Sequence, residues 1–434
     1  MRLKNKKVLV YGLGASGRSA IKLLEAHKAN VSFYDDDLRC FEYVGFERNP
    51  QDKQYDFVVI SPGIKCLGNK LVEHFVETKT PIISELDLAF QFCKGKILAI
   101  TGTNGKTTTA MLTAKILKEA GVKNFLCGNI GLPFSAVCEQ VKKDDVVVCE
   151  VSNFQLETSV WFCPDVACVL NVKPDHLDRH KTFEEYLRVK SKIAQKMPKN
   201  RPIWLNFDDN VARSMFWDRK CNYFSKKALK RGVFASNGQI FANKRAVLDI
   251  EKISLKGEKN LENVLAAIAL VCQFKIKKEV VEKAVSSFVP ADHRMKVLGE
   301  LEGVVYIDDS KATNVSSTVA AVQTFKDKPI LLLLGGRSKE CDYSPIFEDV
   351  SCLKKVVCFG EDGNNIFQVA TKFDRDCCLF EKFEDAVLFC VQIAQKGDVV
   401  LLSPACSSFD QFSSYAERGD CFANLILGAT DGQN

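Results

Sequence analysis

Several things are scarce in this sequence, and each scarcity removes a class of function. The longest aliphatic run, ILLLL at 330–334, falls far short of the ~20 apolar residues a membrane-spanning helix needs. The opening MRLKNKKVLVYGLGASG places basic residues before a short apolar run, but no small-residue cleavage site follows, so it reads as a first strand and not as a secretory signal. No block of one charge sign occurs. The 60 Lys and Arg against 54 Asp and Glu leave +6 spread along the chain, which argues against nucleic acid or an anionic membrane as partner. None of the 18 cysteines forms a CxxC pair, and runs such as VVVC and VACVL bury cysteine as a small hydrophobe. Neither zinc spacings nor a disulfide framework fits, so reduced, mostly buried thiols in a cytoplasmic protein are expected. Histidine is limited to 5 residues, and His176, His180 and His293 fall inside the motifs below.

What remains is an alternation. The runs KVLVYG, DFVVIS, ILAIT, VVVCEV, VACVLNV, VVYID, ILLLLGG, KVVCFG and DVVLLS are separated by amphipathic stretches, the pattern of parallel strands with crossover helices. The expected fold is α/β throughout, in three domains at 1–92, 93–295 and 296–434. These are a Rossmann-like N-terminal domain, a central P-loop ATPase-like parallel sheet and a Rossmann-like C-terminal domain. The first opens with YGLGASG, where Gly12, Gly14 and Gly17 complete GxGxxG after a strand, and Asp35 ends the second strand. Such a turn suits a dinucleotide with Asp35 on a ribose, but the same helix N-terminus holds any pyrophosphate, so a nicotinamide cofactor stands here as one of two readings.

The stretch TGTNGKTTT at 101–109 lies between the apolar ILAI and the helix-like AMLTAKILKEAG. That context and the ending Gly-Lys-Thr predict a phosphate-binding loop, with Lys106 on the outer phosphates and the Thr107 hydroxyl on Mg²⁺. The common spacing GxxxxGK[ST] asks for glycine at Ile100 and finds it displaced to Gly102, which marks a subclass of the loop. Gly102, Thr103, Asn104, Gly105, Lys106, Thr107 and Thr108 are therefore candidate ATP-binding residues. DDVVVCE ends in Glu150, where P-loop enzymes keep a metal-binding carboxylate, and VACVLNVKPDHLDRH delivers Asp175, His176, Asp178 and His180 after another strand. Ligands of open α/β sheets bind beyond the carboxyl ends of the strands, so the loop, Glu150 and His176 are expected to share a crevice.

In the helix that follows, Thr182 and Glu185 form a capping box, and Phe183, Leu187, Lys190 and Ala194 recur on one face while Arg188 and Lys192 point away. Lys190 thus sits on the inward stripe. A bare ammonium is costly there unless paired or chemically altered; the alternative is a lysine snorkelling at the edge of a core. In the third domain three polar loops, DDSKATN, GGRSK and SPACSSFDQF, leave three strands at one end, and Lys311 and Lys339 suit a small dianionic substrate.

The motifs TGTNGKTT, EVSNFQLE, LNVKPDHLDRH, GEKNLENVLAA, DHR, DDSKATN and LSPACSSFDQF together resemble the ATP-dependent Mur ligases of peptidoglycan synthesis, over essentially the whole chain. That resemblance implies amide-bond formation through an acyl phosphate, and DSKATN with SPACSSFDQF implies D-glutamate as the incoming amino acid. The first domain would then hold UDP-N-acetylmuramoyl-L-alanine through Ala15, Ser16 and Asp35, aided by Asn129, Ser152 and Gln155, and the nicotinamide reading loses. Asn263, Arg294 and Asp309 would contact nucleotide; Lys311, Thr313, Lys339, Ser408, Phe409 and Tyr415 would line the D-glutamate site. Lys190 falls where the family carries a carbamylated lysine, a CO₂-derived anion able to help hold the second of two Mg²⁺ ions with His176. Lys106, Glu150, His176 and Lys190 are the implied catalytic set, in a cytoplasmic monomer without nucleic acid or membrane partners. Asn153, Lys259 and Lys296 depart from the family's pattern. A folylpolyglutamate-type ligase would share the central motif but leave the GLGASG domain unexplained, and the intact Lys106, Glu150, His176 and Lys311 set argues against a nucleotide-dependent binding module or regulator without chemistry.

Overall fold

A computed structural model describes residues 2–37, 45–175, 177–255, 257–337, 341–348 and 350–431; His176 and Lys339 lie outside the described residues. The chain divides into two compact units, Met1–Pro174 with Arg179–Val289, and Asp175–Asp178 with Pro290–Asn434.

The first unit carries two sheets. One consists of β1 (Lys7–Tyr11), β2 (Asn30–Tyr34), β3 (Phe57–Ile60) and β4 (Ile82–Ser84), all parallel in the order β2-β1-β3-β4. The other contains β5 (Lys96–Thr101), β6 (Asn124–Gly128), β7 (Val146–Glu150), β8 (Val166–Val169), β9 (Ile203–Asn206), β10 (Asn222–Ser225), β11 (Val233–Ser236), β12 (Gln239–Ala242) and β13 (Arg245–Asp249). Its order is β13-β12-β11-β10-β9-β8-β5-β7-β6. The strands of its centre, such as VVVC of β7 and VACV of β8 with no polar alternation, are buried on both faces by helices, as continuous apolar composition requires. β5 stands between β7 and β8, where the winding direction reverses, and that reversal opens a crevice at the strand's carboxyl end.

The second unit is built on β14 (Lys296–Leu301), β15 (Val304–Asp308), β16 (Ile330–Gly335), β17 (Leu353–Phe359), β18 (Cys377–Phe380) and β19 (Val399–Ala405), in the order β14-β15-β19-β16-β17-β18. The α/β class is as expected, but the sheets are not parallel throughout. β11-β12-β13 form antiparallel hairpins, and β14 pairs antiparallel with β15. Short connections at Asn237-Gly238, Asn243-Lys244 and Glu302-Gly303, with positive φ, turn the chain back where no crossover helix intervenes. Of the described cysteines seven are fully buried and the others are half-buried, so thiol burial is less complete than the apolar runs suggest.

Within the first unit, buried charges tie the two sheets' elements together. Asp87, on the helix Glu85–Phe90 after β4, is fully buried. Its Oδ1 accepts from the Trp161 and Phe162 N–H groups at 2.7 Å each and from Ser159 Oγ at 3.1 Å; Oδ2 accepts from Val160 N–H at 2.9 Å and from Ser84 N–H at 3.1 Å. Arg179 spans the same junction. Its guanidinium donates to the Pro62 and Ile64 carbonyls at 2.9 and 2.6 Å and to Glu157 Oε2 at 2.8 Å, and it stacks 4.2 Å over Phe154. Asp87→Ala should lower the unfolding free energy by about 3 kcal/mol or more, because it strands four backbone N–H donors at once, and Asp87→Asn by less. Urea unfolding of the three proteins checks this; equal midpoints would contradict it.

Candidate active site

At the end of β5 the loop 102–105 leads into the helix Lys106–Glu119. Gly105 caps it with φ +84°, and a Cβ there would lie 2.2 Å from Asn263 Oδ1, so only glycine lets Asn263 pack on the loop. Asn263, from the helix Glu258–Val271, accepts from Thr109 Oγ1 at 3.4 Å. Lys106 Nζ folds over its own loop and donates to the Gly102 and Thr103 carbonyls, both at 2.8 Å. Thr107 and Thr108 are buried in the first helical turn, where the N-terminal N–H groups and dipole favour an anion.

The loop is braced from the segment after β8. Asn171 Oδ1 accepts from Asn104 N–H at 2.9 Å while its Nδ2 donates to the Asn104 carbonyl at 3.1 Å, so one side chain satisfies both backbone groups of one loop residue. Thr103 Oγ1 donates to the Lys173 carbonyl (3.1 Å) and accepts from Lys173 N–H (2.9 Å). A hydroxyl has one proton, so the third contact, at 3.0 Å, has Tyr186 donating to Thr103. Tyr186 belongs to the helix Phe183–Gln195, capped by Thr182 with Glu184 and Glu185 in its first turn.

Lys190 lies one turn on from Tyr186, 1% exposed, its Nζ 4.6 Å from the Tyr186 ring centroid. The inward stripe is Tyr186, Val189, Lys190, Ile193 and Ala194; Phe183 and Leu187 are only half-buried. Arg188 is exposed as expected, but Lys192 does not point away. It donates to the Glu157 carbonyl at 2.6 Å, and burial lowers its pKa. The cap at this helix is one-sided, Glu185 N–H to Thr182 Oγ1 at 3.2 Å, while the Glu185 carboxylate holds Arg188 instead.

Glu150 ends β7 in register with Ile100 of β5 and is 1% exposed. Its Oε1 accepts from Asn129 Nδ2 at 2.8 Å; its Oε2 is buried without a hydrogen-bond partner. An orphaned carboxylate oxygen at the end of β7, the strand paired with the one that leads into the phosphate loop, fits a hard cation such as Mg²⁺. Among the described residues no group of three or more His, Cys, Asp or Glu is arranged for a metal, and His176 is outside them. His180 is buried, its Nε2 2.8 Å from Asn153 Nδ2, and desolvation lowers its pKa, so the neutral ring accepts from the amide. Ser152 and Gln155 serve each other in a capping box at the helix Asn153–Glu157.

In the first sheet the glycine turn follows β1. A Cβ on Gly17 would lie 1.8 Å from the Gly12 carbonyl oxygen, whereas Gly14 has open space. Asp35 follows β2 and holds the turn, accepting from Leu13 N–H at 2.5 Å and Asp37 N–H at 2.9 Å; Ala15 is exposed and Ser16 half-buried at the helix start.

In the second unit the loops after β15, β16 and β19 lie together. Lys311 Nζ sits 3.5 Å from the Tyr415 ring centroid, and its N–H donates to the His293 carbonyl at 3.0 Å. His293 Nδ1 pairs with Asp308 Oδ2 at 2.6 Å. Ser408 is buried, Thr313 and Arg294 are half-buried and Phe409 is exposed. Two of the departing residues are ion-paired: Lys259 with Glu262 at 3.2 Å and Lys296 with Asp292 at 2.6 Å. Asp309 is buried, and desolvation pushes its carboxyl up to about 7 despite Ser403 Oγ (3.0 Å), Met295 N–H (3.2 Å) and nearby Arg294.

Sequence reasoning missed Asn171, Asn153–His180 and Arg179. All three lie inside motifs already singled out, but their partners are loops remote in sequence. Asn171→Ala should free the Asn104 peptide, at a cost of about 1–3 kcal/mol, and raise hydrogen exchange at 102–105 selectively. Unchanged exchange there would contradict the bracing. Because the native Asp309 carboxyl keeps its proton from about pH 4 to pH 7 while the unfolded one releases it, its contribution to stability is full below pH 4 and lost as pH rises through 7. Asp309→Asn should flatten that slope in pH-dependent unfolding; an unaltered slope would refute the assignment.

Comparison with known proteins agrees with this geometry. The profile for the Mur ligase middle domain matches residues 100–271, and that for the Mur ligase glutamate ligase domain matches residues 293–406. Curated relatives from Thermoanaerobacter and Alkaliphilus metalliredigens, each named UDP-N-acetylmuramoylalanine–D-glutamate ligase, are both 36% identical over 98% of this chain and 99% of their own. Among solved structures, the UDP-N-acetylmuramate-alanine ligase MurC of Thermotoga maritima aligns with a TM-score of 0.62 at 19% identity, over 98% of this chain and 100% of that one. MurF ligase from the same organism, solved with ADP, aligns at 0.63 and 17%, over 100% and 96%. These distant structures share the three-domain α/β fold. The phosphate loop lies in the middle-domain match, Lys311 and the loop after β15 lie in the glutamate-ligase match, and the relatives align from end to end, so the chain belongs to the Mur ligase family.

Proposed function

We propose that the chain joins the L-alanine carboxylate of UDP-N-acetylmuramoyl-L-alanine to the amine of D-glutamate, converting ATP to ADP and phosphate, as a cytoplasmic monomer in peptidoglycan precursor synthesis. The observation that carries this reading is the orphaned Glu150 oxygen next to a braced phosphate loop, in a chain whose end-to-end relatives carry that ligase name. The proposed division is 1–92 for the UDP-sugar, 93–295 for ATP and 296–434 for the amino acid.

A carboxylate oxygen is a poor leaving group and phosphate a good one. The carboxylate oxygen therefore takes the γ-phosphoryl group as its bond to ADP breaks; the D-glutamate nitrogen then attacks the acyl carbon, loses a proton, and phosphate departs with the bonding electrons. Gly102 to Thr108 cradle the phosphates through N–H groups and hydroxyls, and Lys106 exchanges its two loop carbonyls for phosphate oxygens. Thr107 and Glu150 would hold Mg²⁺, with Lys190 as a carbamate and His176 for a second ion; bound there, Mg²⁺ offsets charge on the transferring group. Asn129 orients the Glu150 carboxylate and stands ready for the muramoyl substrate with Ser152 and Gln155, while Ala15, Ser16 and Asp35 take the UDP group. Asn263, Arg294 and Asp309 serve the nucleotide, and Lys311, Thr313, Lys339, Ser408, Phe409 and Tyr415 the D-glutamate.

Phosphate release measured with UDP-N-acetylmuramoyl-L-alanine and a panel of amino acids tests the substrate. Turnover only with D-glutamate is expected; turnover with another amino acid, or none, would overturn the reading. The carbamate has its own test. Lys190→Ala should be nearly inactive and regain activity in acetate, which supplies the missing oxygens to the metal. Rescue by a small amine instead, or full activity without rescue, would exclude it.

A further inference from the structure

We propose that Arg418 is the positioning residue that sets the three amino-acid-binding loops of the second unit, and that it does so without touching the amino acid. The inference rests on reading those loops as the D-glutamate site. Arg418 is 0% exposed, on the helix Tyr415–Asp431. Its Nε donates to Ser310 Oγ at 3.0 Å, Nη2 to the carbonyls of Ser310 (2.9 Å) and Cys406 (3.2 Å), and Nη1 to those of Gly335 and Ser407, both at 3.4 Å. A guanidinium has five N–H donors, and these contacts occupy all five, leaving none for a substrate carboxylate.

Each acceptor lies in, or at the strand end that leads into, a loop that carries proposed ligands. Ser310 precedes Lys311, Ser407 precedes Ser408, and Gly335 ends β16 just before the segment with Lys339. The first turn of the same helix supplies the Tyr415 ring beneath Lys311, and the Tyr415 carbonyl accepts from Ser310 Oγ at 2.8 Å. The loops adopt conformations that need such support. Ala405 is left-handed at φ +61° while donating to the Ala312 carbonyl at 2.9 Å, and Gly336, at φ +128°, leaves only 3.0 Å between a would-be Cβ and Nη1. A lysine at 418 keeps the charge but has three donors without the planar fork, so it cannot span three loops.

The test uses the full-length enzyme as wild type, Arg418→Lys, Arg418→Met and the milder Ser310→Ala. Steady-state constants are taken for ATP, the UDP-sugar and the amino acid, with hydrogen exchange at 308–314 and 405–408. A displacement of about 1 Å costs on the order of a hundredfold at a reacting centre. Arg418→Lys should therefore raise the amino-acid KM by about ten- to a hundredfold, Ser310→Ala by less, with ATP and UDP-sugar constants within about twofold of wild type and faster exchange confined to those loops. An amino-acid KM unchanged in Arg418→Lys and Ser310→Ala, or all three constants rising together, would overturn the proposal. The wild-type amino-acid panel decides the substrate separately, and the constants are taken with whichever amino acid it accepts.

Discussion

The Thr103 hydroxyl is the point on which the first unit's chemistry depends. It exchanges hydrogen bonds with both backbone groups of Lys173 and receives one from Tyr186, so the phosphate loop, the segment after β8 and the Lys190 helix meet at one oxygen. Phosphoryl transfer asks little of a protein except placement and charge. A loop free to move by an ångström would squander both, and Asn171 removes that freedom by pairing with both the N–H and the carbonyl of Asn104. Lys190 inherits its position from the same brace, because it is carried one helical turn beyond Tyr186.

A second layer of constraint holds β1–β4 against the elements of the larger sheet. Asp87 and Arg179 are charged, buried and fully engaged with backbone of the opposing segment, and neither is a ligand in the proposed chemistry. Glu85 adds to them: its Oε1 accepts from Ser135 N–H at 2.5 Å while burial raises its pKa. Removing one partner from such an arrangement leaves an uncompensated buried group, which makes these contacts costly to break and specific in register. Arg418 repeats the logic in the second unit with four backbone carbonyls and the Ser310 hydroxyl.

The α/β class, the central strands and the loop at 102–107 were legible because each is written in contiguous residues: an apolar run, a glycine, a helical period. Lys190 was legible too, since a lysine on an inward stripe is anomalous within its own helix. What stayed hidden depends on pairs remote along the chain. Asn171 lies about seventy residues from the peptide it satisfies and Arg418 more than one hundred from Ser310, and nothing local marks either as anything but polar. The antiparallel hairpins at β11–β13 were lost for a different reason: strands of four or five half-buried residues carry too little periodicity to register against flanking turns. Lys192 was misplaced because a long side chain at the stripe's edge reached back to a carbonyl instead of water.

The central claim is that the substrate carboxylate, and not water, receives the phosphoryl group held by the Thr103-braced loop. Labelling that carboxylate with oxygen-18 and weighing the phosphate released during turnover tests it most directly. Transfer through an acyl phosphate predicts that each phosphate carries one labelled oxygen from the carboxylate; phosphate released without label, at the same rate as amide formation, would contradict it.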